Sequence, residues 1–307
     1  NSRQQPKKNK SDLKHILICA DDYALSPENS QAIRTLLTNN KINATSCMSD
    51  SKYWPQEAAK LLLDIKKYKT QRPLIGLHFS LTEPSTSKFF IKSYFSNKNT
   101  SLLELLIRSK LRLISYKKIY NILEYQYQRF TDEFKQAPDY IDGHQHVHQL
   151  PIIRNALINF CNTKQLMKNH NFFIRTTYPL YASLDKFKAI IINLSGSKKF
   201  SCLIKKHNIP TNIGFAGLYK ADSNIKNIQN SYAQFIKYSE NLGLIMCHPN
   251  NKNPNNKTPN NKDPIYKRRG IEYNYLQSPE FIKHLELSNA YVPSGTQWLS
   301  LLKNKIK

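Results

Sequence analysis

With 307 residues, 40% hydrophobic and 11% aromatic, the chain can bury a sizeable core, which excludes the disordered and fibrous classes. Its net charge of +25 would suit nucleic acid or an anionic membrane. The lysines, however, are scattered among asparagines along the whole chain, so compositional bias accounts for the charge and no nucleic-acid partner is expected.

In chain order, residues 1–12 are polar and basic with no apolar run behind them, the profile of a flexible tail and not of a secretory signal. The sequence opens on Asn1, as a trimmed chain would, and no stretch approaches the ~20 apolar residues of a transmembrane segment. A cytoplasmic protein is expected. From residue 13 one rhythm repeats: a short apolar run rich in β-branched residues, a polar cluster, then a helical stretch. The runs predicted as strands are His15–Ala20, Ala44–Met48, Leu74–Phe79, Tyr140–Gly143, Phe172–Thr176, Ile213–Ala216 and Leu242–Cys247. Helices are predicted at Glu28–Leu37, after the Ser26-Pro27 start signal, and at Pro55–Lys67, with Leu61, Leu62 and Ile65 on one face. Leu102–Phe134 reads as two helices, and Ile152–Lys164, Leu184–Ile192, Ile225–Ser239 and Pro279–Leu287 complete the set. Such alternation predicts a distorted, TIM-like (β/α) barrel of about seven parallel strands, a single domain over 13–307. Residues 250–262, rich in Asn and Lys, read as a flexible surface insertion. The five cysteines are odd in number and lack a Cys-x-x-Cys pair, which argues against a disulfide framework or a four-thiolate zinc site.

The reactive residues fall at strand ends. Asp21 and Asp22 follow the first run, His78 closes the third, His144 follows the fourth, Arg175 ends the fifth and His248 ends the seventh. In a parallel barrel all C-terminal strand ends meet on one face, so these distant residues can converge there.

Each motif has a chemical and a plainer reading. Ile-Cys-Ala-Asp-Asp-Tyr (18–23) sets two adjacent carboxylates after a buried strand; adjacent side chains diverge, so one can bind a metal while the other faces an attacking water, or the pair can serve as a helix N-cap. In Gly-Leu-His-Phe-Ser-Leu-Thr (76–82), His78 is a ligand or a hydrogen-bonded core residue. Asp-Gly-His-Gln-His-Val-His-Gln-Leu-Pro (142–151) spaces His144, His146 and His148 by two, which in extended conformation would project all three to one face. A divalent cation or a nearby carboxylate favours such clustering, and Asp142 can orient a ligating imidazole; a polar or phosphate-binding loop is the alternative, although no Gly-rich cradle is present. Leu-Ile-Met-Cys-His-Pro (244–249) ends a buried strand on His248, a general acid with a pKa near working pH or a strand-terminal His.

Taken together, these residues resemble the YdjC-like (ChbG/HpnK) carbohydrate deacetylase family. The resemblance runs from Ile16 to about Leu285 and rests on Ala-Asp-Asp-Tyr, Ala-Thr-Ser-Cys-Met, Gly-Leu-His-Phe-Ser-Leu-Thr-Glu-Pro, the Asp142 to Pro151 stretch, Phe-Ala-Gly-Leu-Tyr, Met-Cys-His-Pro and a trailing Asp-Pro-Ile…Arg…Glu-Tyr…Leu, in that order. It implies a distorted α/β barrel, one divalent metal ion (Mg2+ or Zn2+), an N-acetylated amino sugar or oligosaccharide as substrate, and a homodimer. It further implies Asp22, His78 and His144 as metal ligands, Asp21 as catalytic base, and a match of His248 to the family's last strand-end His, here read as the acid that protonates the departing amine. Arg175 would orient Asp21, grip a sugar hydroxyl or lie at the surface, His146 and His148 would contact the sugar, and Tyr23, Trp54 and Tyr178 would offer stacking platforms or belong to the core. Two departures stand out: Ala24 replaces a turn glycine and so must adopt a conformation glycine finds easier, and Asn250 follows His248-Pro249 where the family has glycine. Two rival functions remain open at this point. One is a phosphodiesterase- or phosphatase-like barrel with two or more metals, drawing on His146, His148 and Asp142. The other is a non-catalytic protein that binds glycans or nucleic acid through its basic surface.

Overall fold

A computed structural model describes residues 13–68, 71–83, 101–168, 171–181, 190, 192–219, 224–251, 263 and 265–306. The tail at 1–12, most of the insertion (252–262) and most of the helix expected at Leu184–Ile192 lie outside the described residues.

A two-residue strand β1 (Lys14–His15) precedes β2 (Leu17–Tyr23), followed by β3 (Ala44–Cys47), β4 (Leu74–Phe79), β5 (Tyr140–Gly143), β6 (Phe173–Ile174), β7 (Phe215–Ala216) and β8 (Leu244–Cys247). The last seven form one parallel sheet in the order β6-β5-β4-β3-β2-β8-β7, the curled sheet of a single-domain (β/α) barrel. Between β6 and β7 the ladder among the described residues shrinks to one bridge, Leu180 to Phe215, and side chains take over. There the Asn212 amide substitutes for main chain: its Nδ2 donates to Thr176 O and its Oδ1 accepts from Thr176 N, both at 3.0 Å. This is where the barrel is distorted.

Every residue of β2, β3, β4, β5 and β8 is buried, as expected of strands covered on both faces. Alternation divides them. Ile16, Ile18, Ala20, Ile75, Leu77, Ile141, Ile174 and Ile245 join the apolar layer under the helices, whereas Leu17, Cys19, Ala44, Leu74, Tyr140, Phe173, Phe215, Leu244 and Met246 form a second cluster inside the barrel. Gly76 belongs to the inward set and has to be glycine, since a Cβ there would lie 2.3 Å from the Tyr140 ring. The inward column changes character along its length: apolar at the N-terminal ends, it becomes polar at Ser46, Asp21, His78 and Asp142.

The helices follow as α1 (Pro27–Thr38), α2 (Trp54–Ile65), α3 (Leu102–Lys110), α4 (Tyr116–Phe134), α5 (Ile153–Thr163), α6 (Ser197–Lys206), α7 (Ile225–Tyr238), α8 (Tyr266–Gln277), α9 (Pro279–Leu287) and, after β9 (Ala290–Tyr291), α10 (Gly295–Ile306). Serine side chains cap their starts, at the expected Ser26, which accepts from Asn29 N, and also at Ser101, Ser115 and Ser278, which accept from Glu104 N, Lys118 N and Phe281 N. Helices α6, α8 and α10 and the β1–β9 pair were not anticipated. The residues of α8 are buried on nearly every side, so no apolar stripe marks it. Helix α10 stops the barrel's N-terminal end, with Trp298, Leu299 and Leu302 joining the interior cluster. No helix among the described residues is long and apolar enough to cross a membrane.

Candidate metal centre

Strict alternation along β2 sends Cys19 and Asp21 inward and would send Asp22 outward into the helix layer. The chain breaks the pattern. The β2–β3 register runs from Ala20↔Thr45 to Tyr23↔Cys47, so three steps on β2 oppose two on β3, and Asp22 takes a left-handed φ of 67°. Aspartate is among the residues that tolerate this region best. Ala24 also turns left-handed, at φ 69°, where a glycine would be easier, and its N–H is held by Ser30 Oγ at 3.0 Å.

Asp22, His78 and His144 meet as a result. Their nearest ligand atoms all lie within 4.8 Å of one another, His78 Nε2 3.5 Å and His144 Nδ1 3.0 Å from Asp22 Oδ1. Donor atoms around an ion at ~2.1 Å sit roughly 3 Å apart, and one carboxylate with two imidazoles is a common donor set for a divalent cation. The residues fit such an ion. Asp142 completes the arrangement: its Oδ1 accepts from His78 Nδ1 at 2.6 Å, which leaves Nε2 of that ring for the cluster. Burial alone would lower the His78 pKa, but the charges of Asp142 and Asp21 and bonds to Asp142 and Asp22 outweigh it and raise it to about 10. His144 is raised likewise, burial being overcome by the Asp22 carboxylate and by Glu83, whose Oε1 lies 3.2 Å from its Nε2. Asp22 is held well below the usual carboxylate range: burial opposes ionisation, but Arg269 and His144 prevail. Both trends describe a site whose protons a cation would displace.

Asp21 points to a different partner. The buried Arg175 donates to Asp21 Oδ1 at 2.6 Å and Oδ2 at 2.8 Å, and its Nη1 also lies 3.0 Å from Asp142 Oδ2. Ser46 Oγ donates to that same Asp142 oxygen at 2.5 Å. Cys19, Asp21 and Asp142 form a second close acidic group, and a guanidinium already fills it.

Strand β8 brings His248 to the rim. Its backbone N–H donates to Glu272 Oε2 at 2.5 Å, and Arg268 Nη2 approaches its Nδ1 at 3.5 Å. A pKa near working pH was expected; instead it lies well below the ordinary value, first through burial and then through Arg269, Arg268 and His144, with Asp22 opposing. The neutral ring accepts at Nδ1 and so carries its proton on Nε2. Tyr219 donates to Glu272 Oε1, and the Arg268 guanidinium stacks 4.8 Å over the Tyr219 ring. Arg269 bridges Asp263 Oδ2 at 2.6 Å and Asp22 Oδ2 at 2.7 Å. Arg268, Arg269, Glu272 and Glu83 received no role from the sequence, although the trailing Asp-Pro-Ile…Arg…Glu-Tyr pattern contains the first three. Asn250 N–H donates to Arg269 O at 3.1 Å and its side chain to Asn29 Oδ1 at 2.6 Å, which pins the segment after His248.

Three expectations are corrected. His144–Gln149 is a 3-10 turn, not an extended strand, with Gln145 and His146 left-handed at φ 51° and 61°, so the three histidines do not share a face. His144 joins the cluster; His146 packs edge-on against Phe215 and keeps an unpartnered buried Nδ1. His148 is wholly buried against Phe200 with its Nε2 donating to Arg175 O at 2.9 Å, so no surface of it is open to a sugar. Gly143 permits this turn, because a Cβ there would meet His148 Nδ1 at 2.7 Å. Tyr23 and Trp54 are core residues, their polar atoms donating to Glu57 O and Arg129 O, and neither offers a stacking surface; Tyr178 is half-buried.

Comparison with known proteins identifies a family and a fold. The family model described as YdjC-like protein matches residues 15–287. Chitooligosaccharide deacetylases of Yersinia pestis (strain Pestoides F) and Yersinia pseudotuberculosis serotype O:1b (strain IP 31758) are 28% identical over 157 residues, which cover 50% of this chain and 58% of theirs. The chain thus spans little more than half the length of these relatives. A crystal structure from Enterococcus faecalis V583, provisionally described as a cellobiose-phosphate cleavage protein, superposes with a TM-score of 0.64 at 18% identity, over 94% of this chain and 99% of that one, a likeness of fold alone.

Proposed function

This chain belongs to the family of YdjC-like proteins, and from that membership we propose that it removes the N-acetyl group from an N-acetylated amino sugar or oligosaccharide, using one divalent cation (Mg2+ or Zn2+) held by Asp22, His78 and His144. One observation carries the reading: three ligand atoms from the end of β2, the end of β4 and the turn after β5 converge within 4.8 Å. A cation held there supplies Lewis acidity toward the acetamide carbonyl and the attacking water.

The chain's own residues divide the remaining work. Asp21, fixed by two bonds from Arg175, is the base that takes the water's proton. His248 is the acid for the departing nitrogen. The free protein holds it neutral, so it can act only after the proton that Asp21 takes from the water has passed to it, as negative charge develops on the amide. His146 is part-exposed, so its ring, although not its buried Nδ1, is the contact for a sugar hydroxyl. Arg269 holds one Asp22 oxygen and leaves the other to the cluster. The two-metal rival is disfavoured because Arg175 occupies the second acidic group, where a second cation would meet its charge.

Acetate release from a panel of N-acetylated sugars, with and without chelator, tests the reading. Chelator-sensitive release from at least one sugar is expected. Release of phosphate from sugar phosphates without any acetate release would sink it.

A further inference from the structure

We propose that the outer face of α3 and the loop into α4 form a docking surface for a bilayer bearing anionic lipid headgroups. Helix α3 is apolar on two sides. Leu105 and Leu106 face the core, while Leu103, Ile107 and Leu111, spaced by four, face outward and are joined by Leu113 and Tyr116. These five side chains are 40–65% exposed. Packing among the described residues does not account for a second apolar face.

Charge identifies the occupant. Residues 101–120 hold five cations against one acid, Glu104, and that acid is engaged by Arg108 at 2.9 Å. Lys110, Arg112 and Lys117 are exposed and interleave with Leu111, Leu113 and Tyr116. Alternating cation and apolar side chain suits an interface where aliphatic groups enter the acyl boundary and cations remain among headgroup phosphates. A second copy of the same face would oppose like charges, which argues against self-association through it. The inward face of α3 is tied to the segment after the turn that carries His144, since the buried Ser109 Oγ donates at 2.5 Å to Pro151 O.

Co-sedimentation of the full chain with vesicles provides the test, using equal parts phosphatidylglycerol and phosphatidylcholine against phosphatidylcholine alone. Binding to the anionic vesicles alone is expected, weakening as salt rises. The triple variant Leu103→Gln/Leu111→Gln/Leu113→Gln and the double variant Lys110→Glu/Arg112→Glu should each lower partitioning by roughly tenfold or more. Both should keep the parent circular dichroism and the parent rate on a soluble N-acetylated sugar. Three results would overturn the proposal: no binding to anionic vesicles, binding that both variants retain, or a dimer in light scattering that the triple variant returns to monomer while vesicle binding is absent. Vesicle binding is read without any turnover, so its failure and that of the deacetylase reading are separable.

Discussion

His78 Nδ1 donates to Asp142 Oδ1 across 2.6 Å, and both groups are buried. Because a carboxylate only accepts, this bond keeps a proton on Nδ1 and turns Nε2 toward Asp22, so Nε2 is the nitrogen whose proton a cation would displace. Asp142 thus governs the centre without belonging to its ligand set.

Asp142→Asn is therefore expected to weaken metal binding by roughly 10–100-fold while the fold persists. Titration calorimetry with Zn2+ or Mg2+ beside circular dichroism reads both. Unchanged affinity would show that the His78 tautomer is set by something else.

The two neighbouring aspartates should separate cleanly. Asp21→Asn is expected to keep its metal and lose turnover by about 10²–10⁴, whereas His78→Ala should lose both. Elemental analysis of the purified variants decides the matter, since equal metal loss would make Asp21 a ligand.

Arg175 neutralises two buried carboxylates at once. Its replacement, Arg175→Met, strands Asp21 and Asp142 together and should cost about 3–5 kcal/mol in urea unfolding. Adding Asp142→Asn should restore part of that loss; a double variant no more stable than the single one would refute the shared-charge account.

His148 makes stability depend on pH. Burial lowers its pKa from 6.5 to about 4, with the Asp142 charge and the bond to Arg175 O opposing and the charges of Arg175 and His78 adding to it. The native state thus favours the neutral ring. The stabilisation is complete above the unfolded-state pKa near 6.5 and is lost as pH falls toward about 4, by roughly 3 kcal/mol in all. Thermal melts from pH 7 to pH 4 should show Tm falling through this window, and His148→Gln, which can still donate to Arg175 O, should flatten the slope. Parallel curves for parent and variant would exclude His148 as the source.

Much of this was legible because strand ends in a parallel barrel are equivalent positions. Asp21, His78 and Asp142 share the inward parity of Leu17, Leu74 and Tyr140, and residue spacing alone conveys that. The histidine triplet misled because a spacing of two implies a shared face only for extended backbone, and two left-handed residues intervene. Arg268 and Arg269 stayed hidden because α8 is enclosed on nearly every side and shows no apolar stripe from which its facing could be judged. Tyr23 directly follows the paired aspartates, yet adjacency in sequence says nothing of depth, and Tyr23 and Trp54 both belong to the core.

The extra residue in β2 bears on any attempt to transplant this centre. Copying Asp21, Asp22, His78 and His144 onto a regular barrel strand would deliver Asp22 to the wrong side of the wall, as a carboxylate facing isoleucines, and leave two imidazoles to share an ion unaided. The portable unit is therefore a backbone irregularity together with its side chains, and a designer would need to graft the kink before the chemistry.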